Sequence, residues 1–88
     1  MIFSVHVDVQ LRPGIADPQG STIERSLPTL GFQGIGNVRV GKSIRFQLEA
    51  VDEATARHQV VDLCARFLAN PVIEDSTIDL VEVVGAPA

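Results

Sequence analysis

Gly36-Asn37-Val38-Arg39-Val40-Gly41-Lys42-Ser43 is the stretch on which the fold turns. Letter for letter it satisfies G-x-x-x-x-G-K-[ST], the phosphate-loop pattern. That chemistry needs a strand before the loop and a helix after it, so that free N–H groups point at phosphate. The residues after Ser43 have the wrong period for a helix. Ile44, Phe46, Leu48 and Ala50 alternate with Arg45, Gln47 and Glu49, which is the period of a strand. The loop interior, Asn37 to Val40, is itself strand-like. No second acidic strand for magnesium is evident, and 88 residues are too few for the usual parallel nucleotide-binding fold. The segment therefore reads as two strands joined by a short glycine-containing link, a hairpin.

Upstream, residues 1–11 alternate as well. Phe3, Val5, Val7, Val9 and Leu11 face one way, and Ser4, His6, Asp8 and Gln10 the other. This is a strand half-buried on one face, broken by Arg12-Pro13-Gly14. Asp17-Pro18 is a helix start: Asp accepts free first-turn N–H groups, and Pro fits the first helical position. Ile23, Leu27 and Leu30 recur at helical spacing, and Gly31 closes the segment as a left-handed cap. Pro28 should kink the helix or tighten its last turn.

Downstream, Asp52-Glu53 opens a second helix with an apolar stripe of Ala56, Val60, Leu63, Cys64, Phe67 and Leu68. Asn70-Pro71 stops it. Residues 76–84 form a last strand with Ile78, Leu80 and Val84 on one face and Val81 and Val83 on the other. The order is βαββαβ. The predicted fold is α+β, ferredoxin-like, a four-stranded antiparallel sheet with two helices on one face. Residues 1–84 make a single domain, and 85–88 a frayed tail.

The totals bound the function. A chain of 88 residues buries only about 60–65% of its extended surface, so self-association or a partner would help its stability. A net charge of −4 does not attract a phosphate backbone, and Arg and Lys do not cluster, which argues against nucleic acid. No apolar run approaches the ~20 residues that cross a bilayer, and the N-terminus lacks the pattern of a signal peptide. One cysteine excludes an internal disulfide framework. The expected location is the cytoplasm, away from membranes.

Candidate chemistry is sparse. Cys64 lies on an apolar stripe and reads as a buried structural thiol. His6 stands beside Asp8 on the polar side of the first strand. His58 precedes Asp62 by four residues, the spacing of a surface pair. Two histidines without spaced Cys or His partners make no metal site. Glu74 and Asp75 are adjacent on an extended segment and point to opposite sides. No Ser–His–Asp or Cys–His arrangement is suggested by spacing. No catalytic residue and no metal ligand is assigned.

Three segments carry more specific choices than a scaffold needs. They are residues 13–20, 38–42 and 69–75. Gly20 in a first helical turn costs about 1 kcal/mol against Ala, which points either to a close approach to its backbone or to a loose helix geometry. Val72 and Ile73 are apolar in a surface connection, which reads either as a docking patch or as side chains tucked under the sheet.

Asp17-Pro18-Gln19-Gly20, Val38-Arg39-Val40-Gly41-Lys42 and Asn70-Pro71-Val72-Ile73-Glu74, in that order and spacing, resemble the PurS small subunit of phosphoribosylformylglycinamidine (FGAM) synthase. The likeness runs from about residue 3 to 84. It departs at Ala16, Pro28 and Ser76, where Leu, an ordinary helix former and often an aromatic are expected. The resemblance implies a subunit of a glutamine-dependent, ATP-consuming C–N ligase of purine biosynthesis. Such a subunit would be non-catalytic and bridge the glutaminase and synthetase subunits so that ammonia passes without loss to solvent. ATP, Mg and glutamine would be used by those partners, with no cofactor in this chain. Gly14, Asp17, Gln19, Gly20, Arg39, Lys42, Asn70 and Glu74 are the candidate partner-binding positions; on the competing reading several of them, Asp17 and Asn70 above all, only terminate helices. A homodimer would enlarge a small platform, with a tetramer as the larger form when free and the two-sided last strand as the self-pairing edge. The other reading is a stand-alone regulatory module of ferredoxin-like fold that binds a small metabolite.

Overall fold

The computed structural model describes residues 1–83. Its centre is β1 (Ile2–Leu11). On one face of β1, Phe3, Val5, Val7 and Val9 are almost wholly buried. β2 (Gly41–Glu49) and β3 (Glu74–Glu82) pair with β1 on either side, both antiparallel, in the order β2-β1-β3. Registers of Val5 with Phe46 and Leu80, and of Val7 with Ile44 and Ile78, put every strand's aliphatic set on that same face. The opposite face is polar: His6 lies between Arg45 and Asp79 by register.

One helix closes the core. α2 (Glu53–Leu63) starts at Asp52, whose carboxylate accepts the Thr55 N–H at 2.7 Å. Its Ala56 and Val60 are buried with Cys64 against the sheet. The helix then widens into a π-helical turn at Cys64–Leu68, with the Ala69 N–H donating to the Cys64 carbonyl. One extra residue per turn shifts the phase of the stripe. Leu68 packs on the core, while Phe67, placed on the same stripe by the sequence, is 81% exposed.

α1 (Pro18–Ser26) begins at Asp17 with Pro in its first turn, and a 3-10 turn at Pro28–Leu30 ends on Gly31 at φ 95°. Pro28 thus tightens the helix end, as its missing N–H requires.

The fold departs from the predicted one in three respects. First, among the described residues the sheet has three strands, and the element order is βαβαβ. Residues 37–40 pair with no strand; Asn37 is left-handed at φ 57°, and the amides of Val38 and Val40 are taken by carboxylates of the α1 region. Those donors cannot also join a ladder, so the segment does not fold a ribbon back onto β2. Second, only α2 lies on the sheet: Gly20 is the one buried residue of α1. Third, Asp62 pairs with Arg66 at 3.2 Å, one turn on, rather than with His58. Ser43 sits within β2, so no helix succeeds the glycine–lysine pair and the phosphate-loop geometry is absent. Val84 and the tail predicted at 85–88 lie outside the described residues. No helix among the described residues is long and apolar enough to cross a membrane.

Candidate partner-binding site

The three segments singled out by sequence meet at one end of the sheet, where β1 finishes and β2 and β3 begin. Asp17 is the hub. Its carboxylate accepts the Gly20 N–H at 2.9 Å and the Val40 N–H at 2.8 Å, and lies 3.8 Å from the Arg39 guanidinium. The Val40 bond, then the Gly20 bond, with Arg39 adding, hold the carboxyl below its usual range, although its burial acts the other way. One turn further, Glu24 accepts the Val38 N–H at 3.0 Å. Gly20 and Glu24 are four apart and therefore share a helix face, and that face lies against residues 38–40.

Gly20 is glycine for a reason the distances supply. A Cβ there would stand 2.3 Å from the Val38 carbonyl oxygen, well inside contact distance. The close approach, one of the two readings of Gly20, is to this carbonyl. Gly41 is similar: a Cβ would lie 2.6 Å from the Val9 carbonyl, so its place in the phosphate-loop pattern is accounted for by strand contact.

Cations tie the remaining loops. Arg39 donates to the Ile15 carbonyl at 3.2 Å, and Lys42 to the Leu68 carbonyl at 3.2 Å. Arg12 donates to the Pro71 carbonyl and pairs with Asp75 at 3.1 Å. Asn70 shapes its own turn: its side chain accepts the Val72 N–H, and Glu74 accepts the Asn70 N–H at 2.6 Å. Adjacent Glu74 and Asp75 thus serve different partners. Gly14, at φ 85°, turns the chain between β1 and α1.

The eight predicted positions are therefore gathered in one region, but in unequal ways. Asp17, Gly20, Arg39, Lys42, Asn70 and Glu74 are bonded or packed within the chain. Gln19 is exposed and makes no side-chain hydrogen bond among the described residues. Asp17, Gln19, Lys42 and Glu74 stand around a surface cleft of about 340 Å³ floored by Val9, Leu11 and Val40. Arg12 and Glu24 were missed by sequence reasoning. The i, i+4 spacing of Gly20 and Glu24 was available as a signal for the second; nothing local marked Arg12, whose partners come from residues 71 and 75.

The rest of the described residues show little reactive geometry. Ser43 Oγ lies 2.6 Å from His6 Nε2, and Asp8 approaches the same nitrogen at 4.0 Å. A relay needs the acid on the other ring nitrogen. Cys64 is buried. Among the described residues no group of three His, Cys, Asp or Glu could hold a metal.

Comparison with known proteins places this geometry. Residues 4–82 match the family model described as PurS, phosphoribosylformylglycinamidine (FGAM) synthase. A Synechocystis protein named phosphoribosylformylglycinamidine synthase subunit PurS is 40% identical over 84 residues, covering 96% of this chain and 84% of that protein. The subunit of the same name from Mycobacterium leprae is 46% identical over 72 residues, covering 82% of this chain and 87% of that protein. A chain in the structure of PurLQS from Thermotoga maritima superposes with a TM-score of 0.84 at 34% identity, covering 92% of this chain and 99% of that one.

Proposed function

Since the chain belongs to the PurS family of FGAM synthase, a non-catalytic subunit of an enzyme of purine biosynthesis, we propose that its work is to bridge the glutaminase and ATP-dependent synthetase subunits and to support the transfer of ammonia between them. The observation that carries this reading is the near full-length likeness to a chain of PurLQS, joined to a polar end of the sheet that internal bonds hold in one shape. Asp17, Arg39, Lys42, Asn70 and Glu74 arrange that end, and Gln19 is presented from it to a partner. A surface ordered before binding loses less entropy on docking.

Ammonia released into water at neutral pH is protonated and diluted. Holding the site that makes it beside the site that uses it keeps the local concentration high, as for any tethered pair. The bridge therefore needs contact surface and no reacting group. ATP, Mg and glutamine are handled by the partner subunits, in the cytoplasm, and the free chain is a homodimer.

Reconstitution tests the reading. Synthetase and glutaminase mixed with this chain should turn over glutamine, and synthetase alone should still use an added ammonium salt. Equal glutamine-dependent turnover with and without the chain would make the bridging role wrong.

A further inference from the structure

We propose that the free edge of β3, with the groove between it and α2, is a docking site for an extended segment of a partner protein in which apolar and basic residues alternate. The site lies on the flank of the sheet, and the inference does not depend on the bridging reading.

The first observation is which backbone groups face outward. β3 is a sheet edge, paired on one side only among the described residues. The Arg12 N–H donates to the Ile73 carbonyl, and the Val83 N–H to the Ile2 carbonyl. In an antiparallel pair, residues that bond across alternate with residues that do not. Ile73 and Val83 fix that phase, so the odd-numbered residues of β3 bond to β1. The N–H and C=O groups of Ser76, Ile78 and Leu80 therefore point away from the sheet, where an added strand can take them.

The second is the groove beside this edge. Register sets Ser76 against Val9 and Ile78 against Val7, on the core face. On α2, Val60 and Cys64 face the sheet. Val61 and Ala65 come one step further round the helix and turn toward β3. Between them lies a groove of about 490 Å³, lined by Val61, Ala65, Ala69, Ser76 and Ile78, with Arg12 and Asp75 where β3 starts. Small side chains at 65, 69 and 76 leave this room. A residue opposite Ile78 on an added strand would point to the same face of the sheet, into the groove. Edge and groove thus act on the same strand: backbone groups hold it, and the groove selects an apolar side chain at alternate positions.

The third is charge. β3 carries Glu74, Asp75, Asp79 and Glu82 and no Lys or Arg. Asp75 is matched by Arg12, whereas Asp79, exposed on the open face, is in no ion pair among the described residues. A Lys or Arg opposite Asp79 supplies the missing partner, and it stands next to the residue that enters the groove. A second copy of this chain fits badly. Antiparallel self-pairing about Ile78 sets Glu74 against Glu82, and like charges directly opposite repel.

A peptide titration followed by NMR and amide exchange tests it. The probe is a short synthetic peptide alternating Lys with Val and Leu; its counterpart has Glu in place of Lys. The basic peptide should shift the amides of Ser76, Ile78 and Leu80 and slow their exchange about tenfold or more at saturation. This readout needs no variant to fold. The acidic counterpart should bind about tenfold or more weakly, and Asp79→Lys, at an exposed position, should invert that preference. No binding at millimolar peptide, equal binding of the two peptides, or shifts confined to other residues would overturn the proposal. Outward amides that slow with protein concentration alone would give the edge to a second copy and overturn it as well.

Discussion

The two halves of this molecule are held together by different forces. The half built from β1, β3 and α2 is held by burial: Phe3, Val5, Val7 and Val60 are within 1% of full burial and pack on one another. The half built from α1 and residues 27–40 buries almost nothing and is held by aimed polar bonds, Asp17 to Val40 and Glu24 to Val38. Burial is non-directional and tolerant of many sequences. A carboxylate bonded to two amides is directional and fixes one arrangement. The first half makes a domain; the second aims a helix.

The largest expected effect separates the halves directly. Phe3→Ala should cost about 3–5 kcal/mol, because it opens a cavity in the closed core. Phe32→Ala, the same truncation at an exposed site, should stay within about 0.5 kcal/mol in dilute single copies. Urea denaturation of both variants measures the contrast, and equal losses would mean that the α1 half is as well packed as the other.

A smaller effect has a sign worth testing. Helix propensity favours Gly20→Ala by about 1 kcal/mol. The Val38 carbonyl, 2.3 Å from the new Cβ, opposes it, and overpacking of this kind costs about 1–3 kcal/mol. Net destabilisation is expected. A higher melting temperature would mean that residues 38–40 give way without loss.

The smallest effect depends on pH. Asp17 is held below its ordinary value chiefly by the Val40 and Gly20 amides. A carboxyl of that kind contributes stability that is complete above its unfolded value and lost as pH falls through the lowered folded one. Below about pH 4 the wild type should therefore lose stability more steeply than Asp17→Asn. Urea midpoints between neutral and acid pH give the two slopes, and parallel slopes would remove Asp17 as a titrating staple.

Much of both halves was legible in order along the chain. The alternation of residues 3–9 named the buried face of β1, Asp17 and Asp52 named both helix starts, and Pro28 named the tightened turn. The ends of the stripes were less so. Nothing in Cys64-Ala65-Arg66-Phe67 marks a π-helical turn, because that turn answers to the route the chain takes to Asn70 and β3. The candidate site was legible as three unusual segments, and their meeting at one end follows from strand order.

Residues 37–40 divide what sequence settles from what it does not. Period-two patterning is a local property, and by itself it determined the face of each strand, since side chains alternate wherever an extended chain is placed. Whether those four residues pair with β2 or with α1 depends on which acceptors reach their amides first. Two carboxylates from residues 14 and more positions away did, and only the tertiary structure could bring them there.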